Sequence, residues 1–307
     1  MTGQPDIPEL LPPRERFEEL HGGALHVAAP AKINLDLRVG PRREDGYHGL
    51  DSIVAKVTLY DLVLLRPRED GRIAFRCDGA DCGPDESNLA LRAARLLAEA
   101  AGDVPGADLS LTKAIPPGKG LGGGSSDAAA VLDGLNELWS LGFPAERLAG
   151  LAARLGSDVP LFLGPPAARM TGRGERIEPA NVHPFVAVLH LPGVACSTAE
   201  VYRRFDQLPP PDAGPRLPAL EDLAGSPPAA WRSALRNDLA APALAVSGEL
   251  RRVHELLREA VGLPVGLTGS GSGLFVLCDD QAEARTVVGR IPPGLGGRTV
   301  LVGPNPW

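Results

Sequence analysis

A glycine-rich segment near the middle of the chain constrains both fold and function most strongly. The segment Pro116–Asp127 has the sequence PPGKGLGGGSSD and leads directly into an apolar pattern of helical period. Glycine has no Cβ, so successive backbone N–H groups can approach an anion. The N-terminus of the following helix adds unpaired donors and the positive end of its dipole. The segment therefore predicts a polyphosphate-binding loop, in which Ser125 and Ser126 offer hydroxyls to phosphate or Mg²⁺.

Two common nucleotide-binding motifs do not account for this loop. Gly118, Gly120 and Gly123 match G-x-G-x-x-G by letter. The Pro-Pro entry and the absence of a regular βαβ pattern nevertheless argue against a dinucleotide fold. Lys119 is followed by glycine rather than Ser or Thr, which excludes a Walker A motif. The alternative that stays open is a glycine-rich turn without a ligand.

Three further segments place polar residues where chemistry is plausible. In Pro30–Leu35 (PAKINL), Lys32 and Asn34 project from the same side of an otherwise apolar strand. In Gly156–Pro160 (GSDVP), Asp158 lies between a helix end and an apolar run, where an aspartate can also be a cap. The segment Thr268–Gly273 (TGSGSG) is either a second ligand-binding loop or a tight connection between strands.

Length and charge narrow the class of protein. A chain of 307 residues with 44% hydrophobic residues favours two domains. The net charge of −7 argues against nucleic acid as a partner, because phosphate-backbone binding needs clustered Lys and Arg. Residues 1–20 contain no apolar stretch of signal-peptide or membrane length. We therefore expect a cytoplasmic protein without a membrane partner, in which residues 1–23 form a flexible extension.

Cysteine and lysine usage add two expectations. The four cysteines lack the C-x₂-C spacing of a zinc site, and a cytosolic chain of this length needs no disulfide, so reduced thiols are expected. Lysine occurs only at Lys32, Lys56, Lys113 and Lys119, although arginine is plentiful. A compact ammonium suits a single phosphate oxygen better than the rigid guanidinium fork does. Each lysine is therefore a candidate for a chemical role.

The hydrophobic pattern predicts an α+β fold. Strands are expected over 26–37, 52–65, 72–77, 109–113, 186–191 and within 265–277, and helices over 88–101, from 125, and over 144–155, 249–260 and 281–289. Ser87 is expected to cap the first helix. Residues 207–230 are dense in Pro, Ala and Gly and predict a long connection. A domain boundary is expected near residue 180, which gives domains at 24–180 and 181–307.

Taken in chain order, the four polar segments resemble the motifs of the GHMP kinase superfamily. Gly46–Leu50 (GYHGL), Asn88–Leu89 and Asn237–Leu239 (NDL) resemble markers of the branch that acts on 4-diphosphocytidyl-2-C-methyl-D-erythritol. The resemblance extends from about His26 to Val302. It implies a two-domain α+β GHMP kinase fold with the active site in the cleft between the domains. It also implies ATP and Mg²⁺ as cofactors and phosphorylation of the substrate 2-hydroxyl in non-mevalonate isoprenoid biosynthesis.

The resemblance also assigns roles to individual residues. Asp158 matches the catalytic aspartate, with Lys32 beside it to hold the acid ionised. Tyr47 and His48 match positions that hold the cytosine, and Tyr202 matches the aromatic residue on its opposite face. The ATP-binding positions implied are Asn88, Lys113, Pro116, Gly118, Gly120, Leu121, Gly122, Gly123, Gly124, Ser125 and Ser126. The substrate-binding positions implied are Asn34, Tyr47, His48, Asp158, Thr198, Tyr202, Gly269, Ser270 and Gly271.

Three other functions compete with this interpretation. A mevalonate-pathway or homoserine kinase would share the loop and ATP, but would not need aromatic residues around a pyrimidine. A non-catalytic binding module on the same fold would have no reason to keep both Lys32 and Asp158. Nucleic-acid binding is disfavoured by the acidic charge balance. Lys119 differs from the small residue that is common at its position in the family. Its side chain is expected either to contact phosphate or to face solvent.

Overall fold

Two β-sheets with helices packed against them form the molecule. The computed structural model describes residues 8–44, 46–79, 82, 85–209, 211 and 220–307. Both sheets are mixed, and most of their strand pairs are antiparallel. This arrangement confirms the predicted α+β class. None of the described helices is long and apolar enough to cross a membrane.

The larger sheet is built around two long antiparallel strands, β3 (Ala24–Arg42) and β4 (His48–Arg68). The other strands of this sheet are β2 (Phe17–Leu20), β5 (Ile73–Gly79), β6 (Gly106–Lys113), β7 (Ala167–Gly172), β8 (Arg176–Pro179) and β10 (Arg236–Asn237). The register of β3 against β4 shifts after Pro30 and again after Asn34. Such bulges bend a strand and redirect its side chains. The segment carrying Lys32 and Asn34 is paired regularly with β4 and lies between these two irregularities.

Four helices cover this sheet. They are α1 (Leu89–Ala101), α2 (Gly123–Leu138), α3 (Ala145–Leu155) and α4 (Val159–Leu163). Helix α2 packs on α1 and on β3, and a Cβ at its Gly134 would lie 2.6 Å from the side chains of Val27 and Leu65. Leu97, Leu109 and Leu132 are fully buried between helices and sheet. The glycine-rich segment runs into the first turn of α2, so this packing holds its end in a fixed position.

The smaller sheet has the strand order β1-β13-β9-β12-β11. Its strands are β1 (Leu10–Leu11), β9 (Val186–Leu191), β11 (Gly266–Leu267), β12 (Leu274–Cys278) and β13 (Arg298–Val302). The helices of this part are α5 (Thr198–Phe205), α6 (Leu220–Gly225), α7 (Ala240–Val246), α8 (Gly248–Val261) and α9 (Gln281–Arg290). Its core contains the apolar faces of α8 and α9, including Leu257 and Val287, packed against Val188 and Val276.

The two sheets exchange short segments of chain. Strand β10 pairs in parallel with β3, where Asn237 lies opposite Leu37, and β1 pairs in parallel with β13. Asp238 strengthens the first exchange, because its carboxylate accepts from Val39 N at 2.9 Å and from Arg236 Nε at 2.6 Å. The domain boundaries at 24–180 and 181–307 stay a prediction, since segments near residues 10 and 237 lie in the sheet of the other part.

Several expectations about local structure were wrong. Residues 10–11 and 17–20 of the supposed flexible extension form strands, because their backbones complete the two sheet edges. Asn88 rather than Ser87 caps α1, by accepting from Ala90 N at 2.9 Å. The supposed connection over 207–230 contains α6, while residues 210 and 212–219 lie outside the described residues. Strands β7, β8 and β13 and helices α5 and α7 were not predicted.

The expectation for the cysteines was half correct. Cys77 and Cys82 form a disulfide with Cα atoms 6.1 Å apart, a separation that this bond tolerates. We did not expect this disulfide, because we reasoned that a chain of this length needs none. A bridge between residues five apart is local, so chain length has no bearing on it. Cys196 and Cys278 are buried free thiols, as expected.

Candidate active site

A cleft of about 960 Å³ collects almost all of the residues that the sequence singled out. This volume is in the range of small-molecule sites. The predicted site residues that border the cleft are Lys32, Asn34, Tyr47, His48, Asn88, Lys113, Pro116, Gly118, Gly120, Leu121, Gly122, Gly123, Gly124, Ser125, Asp158, Thr198, Tyr202, Gly269, Ser270 and Gly271. Ser126 differs from them: its hydroxyl is buried without a partner, and its backbone N–H donates to Gly122 O.

The glycine-rich loop has the backbone conformation that only glycine adopts easily. Gly120 and Gly122 have φ of 69° and 71°, in the left-handed region. A Cβ on Gly120 would lie 2.0 Å from Thr268 O, and one on Gly122 would lie 2.8 Å from the Phe162 ring. Lys32 N donates to Leu121 O at 2.9 Å, which ties the loop to β3. The loop is therefore fixed by close packing on both sides.

The same loop presents unused hydrogen-bond donors. No group in the described part of the chain accepts from the backbone N–H groups of residues 120–124. Helix α2 begins at Gly123, two residues before the predicted start, so its first N–H groups belong to the loop. All five of these residues border the cleft. A row of free donors at a helix N-terminus is suited to an anion such as a polyphosphate.

A buried charge cluster lies beneath the loop. The Lys113 ammonium forms ion pairs with Asp61 and with Asp127, the latter at 2.6 Å, and all three side chains are nearly inaccessible. Burial by itself lowers the pKa of Lys113, but the two carboxylates outweigh it and raise that pKa. Burial and the neighbouring Asp61 raise the pKa of Asp127 well above its usual range. The Lys113 ammonium is thus shared between two acids, and its predicted contact with ATP stays a prediction.

Asp61 explains why this cluster is rigid. Its second carboxylate oxygen accepts from Ala114 N at 2.6 Å and from Ile115 N at 2.8 Å, just before the glycine-rich loop. The cluster thus fixes both the entry to the loop, through Asp61, and the first turn of α2, through Asp127. Sequence reasoning assigned no role to Asp61, because its partners are about fifty residues away in the chain.

Lys32 and Asn34 do project to the same side of β3. Lys32 Nζ donates to Asn34 Oδ1 at 2.6 Å, and this oxygen also accepts from Gly269 N at 2.9 Å. Asn34 Nδ2 donates to Ser52 Oγ at 2.8 Å. Burial lowers the pKa of the Lys32 ammonium, while the charge of Asp158 acts in the opposite direction. The bulged segment of β3 therefore brings a buried cation and the second glycine loop together.

Asp158 occupies the N-cap position of α4 but does not cap that helix. Its side chain makes no cap hydrogen bond, and no hydrogen bond or ion pair to its carboxylate is found within the described residues. It is half-buried and borders the cleft. A carboxylate that is left without a partner next to a buried lysine is available to accept a proton.

Aromatic and charged side chains converge at another part of the cleft. The His48 ring lies 5.4 Å from the Tyr202 ring and 5.5 Å from the Phe205 ring, which it meets edge-on. His48 Nδ1 lies 2.9 Å from Gly40 O, and Nε2 lies 3.1 Å from the Asp206 carboxylate. Both ring nitrogens of His48 are thus engaged by the protein. Burial, with a smaller effect of Asp158, raises the pKa of Tyr202 to about 12.

Tyr47 is the most accessible of the predicted aromatic residues. It is 54% exposed, and the Arg173 guanidinium lies 4.1 Å from its ring centroid. Arg173 is in the turn between β7 and β8 and borders the same cleft. Sequence reasoning missed Arg173 and Asp206, because neither belongs to a motif. The only local signal for Arg173 is its position between Gly172 and Gly174.

The second glycine loop is held by residues that the sequence marked without explaining. Asn237 Nδ2 donates to Leu267 O at 2.6 Å and to Gly269 O at 2.7 Å, and its Oδ1 accepts from Leu239 N. Thr198 Oγ1 and Ser270 Oγ are 2.8 Å apart. The Asn237–Leu239 marker is therefore a structural support that fixes the loop bordering the cleft.

Two family models and several curated proteins are similar to this chain. A family model described as GHMP kinases N terminal domain matches residues 88–164, and one described as GHMP kinases C terminal matches residues 219–292. A curated 4-diphosphocytidyl-2-C-methyl-D-erythritol kinase of Mycolicibacterium gilvum (strain PYR-GCK) is 40% identical over 294 residues, 92% of this chain and 91% of that protein. One of Symbiobacterium thermophilum is 40% identical over 274 residues, 88% of this chain and 96% of that protein.

Solved structures agree with these relatives. A crystal structure of 4-(cytidine 5'-diphospho)-2C-methyl-D-erythritol kinase has a TM-score of 0.75 at 40% identity, covering 91% of this chain and 98% of that one. A homoserine kinase from Cytophaga hutchinsonii has a TM-score of 0.67 at 17% identity, covering 95% and 98%. The second likeness concerns the fold alone. Together they confirm the fold that the motifs implied.

Proposed function

Because the chain belongs to the 4-diphosphocytidyl-2-C-methyl-D-erythritol kinases of the GHMP superfamily, we propose that it transfers the γ-phosphoryl group of ATP to the 2-hydroxyl of 4-diphosphocytidyl-2-C-methyl-D-erythritol. The products are the 2-phosphate and ADP, in non-mevalonate isoprenoid precursor biosynthesis. One observation carries this proposal. A loop of free backbone donors, an unpaired carboxylate beside a buried lysine, and an aromatic cluster all border a single cleft. A cytoplasmic location stays part of the proposal.

The glycine-rich loop holds the ATP phosphates. Its N–H groups at residues 120–124 have no protein acceptor, so they can donate to phosphate oxygens without breaking an existing bond. Phosphoryl transfer depends mostly on positioning and on stabilising charge. A loop that is already rigid supplies both, because it does not have to reorganise when charge develops on the transferred group.

Asp158 accepts or orients the proton of the substrate hydroxyl. Its carboxylate is available because it neither caps α4 nor pairs with another described side chain. Lys32 lies close enough for the charge of Asp158 to affect its pKa. The Lys32 ammonium balances the charge that builds up during transfer. Asn34 orients Lys32 through the 2.6 Å hydrogen bond to its Oδ1.

Mg²⁺ fits the oxygen donors beside the loop. Asp127 Oδ1 is buried without a hydrogen-bond partner, and both Asp127 and Ser125, which carries a hydroxyl, border the cleft. No cluster of three or more His, Cys, Asp or Glu suited to a metal occurs within the described residues. This agrees with an ion held mainly by substrate phosphates and by one carboxylate. Bound there, Mg²⁺ would neutralise phosphate charge.

The aromatic end holds the cytosine. Tyr47 and Tyr202 provide ring faces, and stacking of a base on an aromatic ring contributes about 1–3 kcal/mol. Both His48 nitrogens are occupied, so the ring supports Tyr202 and Phe205, and a hydrogen bond from His48 to the base would require an exchange of partners. This group favours the cytidyl substrate over mevalonate or homoserine, which carry no base to stack.

The experiment that tests this proposal is ATP consumption by the purified protein with Mg²⁺. The acceptors compared are 4-diphosphocytidyl-2-C-methyl-D-erythritol, mevalonate, phosphomevalonate and homoserine. We expect turnover with the cytidyl compound alone. Turnover of another acceptor would discard the pyrimidine site and keep the kinase. No turnover of any acceptor, with ATP still bound, would favour a non-catalytic module and overturn the proposed activity.

A further inference from the structure

Lys119 borders the cleft, but its buried ammonium is bound by protein groups outside the glycine-rich loop. The residue is 6% exposed. Its ammonium donates to Pro192 O at 2.6 Å, to Val194 O, and to Ser272 Oγ at 3.2 Å. An ammonium has three donors, and each one of them finds an acceptor here. All of these acceptors lie outside the glycine-rich loop, so Lys119 connects the loop to two other segments.

The two connected segments carry the substrate end of the cleft. Pro192 and Val194 lie between β9 and α5, the helix that presents Thr198 and Tyr202. Ser272 belongs to the second glycine loop and donates in turn to Val194 O. The Lys119 side chain therefore lies at the junction where the phosphate loop, the approach to α5 and the second glycine loop meet.

Backbone hydrogen bonds surround the same junction. Gly118 O accepts from Cys196 N at 3.3 Å and from Ser272 N at 3.1 Å, and Lys119 O accepts from Gly273 N at 3.1 Å. A Cβ on Gly273 would lie 2.6 Å from Lys119 O. The three segments are thus packed at backbone distance, and a change in the position of one is passed to the others.

The ammonium of Lys119 is bound by neutral groups and not by an acid. No carboxylate of the described residues lies within ion-pair distance of Lys119, and burial lowers the pKa of its ammonium. A buried amine with only neutral acceptors is costly unless all its donors are satisfied. The side chain therefore contributes more through the geometry of its three hydrogen bonds than through attraction to an opposite charge.

We propose that Lys119 is a positioning residue: by hydrogen-bonding Pro192, Val194 and Ser272, it fixes the spacing between the phosphate loop and helix α5. The ATP γ-phosphate and the substrate hydroxyl are thereby held in register for transfer. This inference rests on the proposed kinase function. It differs from the role of a phosphate ligand, because all three donors of the ammonium are bound by protein acceptors.

The test compares Lys119→Met with Arg252→Met. Methionine keeps the stem of Lys119 and removes its donors and charge, whereas Arg252 is an exposed cation of α8 and serves as the matched control. Binding of a non-hydrolysable ATP analogue and of the cytidyl substrate is measured separately, together with kcat at saturation of both substrates. We expect each Kd within about twofold of the unmodified protein and kcat lower by about tenfold or more, since small misplacements are costly in transfer.

Two results would overturn the proposal. A rise of about tenfold in the Kd of the ATP analogue alone would make Lys119 a direct phosphate ligand. A lower melting temperature with unchanged kcat would make it a structural residue only. Failure of the proposed function is recognised separately, because the unmodified protein would then show no turnover, whereas failure of this inference leaves that turnover intact.

A milder pair of variants keeps the test decisive if Lys119→Met does not fold. Ser272→Ala removes one acceptor of Lys119 and the bond to Val194. We expect a smaller loss of kcat in the same direction, again without a change in either Kd. Lys119→Arg retains the charge, but its planar fork does not place three donors on one nitrogen. Full recovery of kcat by Lys119→Arg, or unchanged kcat in Ser272→Ala, would contradict the proposed geometry.

Discussion

The two ends of the cleft are built in different ways. The phosphate end uses the backbone of one continuous segment, supported by the buried cluster of Asp61, Lys113 and Asp127. The aromatic end uses side chains that come from separate places in the chain: residues 47–48 at the entry to β4, the turn after β7, and α5. The first is rigid before any ligand arrives, whereas the second includes the 54% exposed Tyr47.

This difference indicates how the work of the enzyme is divided. In the proposed function, backbone donors recognise the phosphates of ATP, and they depend on glycine and not on a particular side chain. The aromatic end is proposed to recognise the cytidyl part of the substrate. Substitutions at one end should therefore alter one substrate and leave the other unaffected, with Asp158 acting on the transfer step alone.

The largest effect is expected for Asp158→Asn. The amide keeps the size of the side chain but cannot accept the hydroxyl proton, so kcat should fall by about 10²–10⁴-fold. Binding of ATP should be retained, because the loop supplies the phosphate contacts. Steady-state kinetics with a separate titration of an ATP analogue would measure this. An unchanged kcat would remove Asp158 from the mechanism.

The next largest effect is expected for Gly120→Ala at the phosphate end. Its φ of 69° and a Cβ placed 2.0 Å from Thr268 O force the loop to move. The KM for ATP should rise by about tenfold or more, because strain of this kind costs about 1–3 kcal/mol. The matched control is Gly150→Ala, a helical position with nothing within 4 Å of the added Cβ. A normal KM for ATP in Gly120→Ala would contradict a preformed loop.

Tyr202→Ala tests the aromatic end. Loss of a stacking face worth about 1–3 kcal/mol should raise the KM for the cytidyl substrate by about 5- to 150-fold. Tyr202→Phe keeps the ring and is the control, since the hydroxyl has no assigned role in stacking. The KM for ATP should stay the same in both variants. A rise in the KM for ATP instead would place the pyrimidine pocket elsewhere.

The smallest effect is expected for Arg173→Met. The guanidinium lies 4.1 Å from the Tyr47 ring centroid at an exposed position, where a cation–π contact is worth about 0.5–1 kcal/mol. The KM for the cytidyl substrate should therefore rise by about two- to fivefold. Arg173→Lys, which keeps a cation beside the ring, should recover part of the loss. An unchanged KM for the cytidyl substrate in Arg173→Met would show that contacts other than Arg173 hold the Tyr47 ring.

The same contrast explains what could be predicted from the sequence. The glycine-rich loop that borders the cleft could be singled out because its residues are consecutive. The long amphipathic helices could be predicted because their period is visible in the sequence. Arg173 and Asp206 were not found, because their positions depend on a hairpin and a helix that no local pattern indicated. The contacts of Lys113 and Lys119 could not be predicted either, since most of their partners are distant in the chain.

The wrong expectation for the N-terminal residues also arose from interactions with other segments of the chain. The strands at residues 10–11 and 17–20 are too short to be recognised without the sheet edges that they complete. In each case the deciding interaction is with a segment that the local sequence does not specify.

The most direct test of the two-ended cleft is inhibition by cytidine diphosphate, measured against each substrate in turn. A pyrimidine nucleotide that binds at the aromatic end should compete with 4-diphosphocytidyl-2-C-methyl-D-erythritol and not with ATP, and Tyr202→Ala should weaken this inhibition. Competition with ATP alone, unaffected by Tyr202→Ala, would contradict the assignment of the two ends.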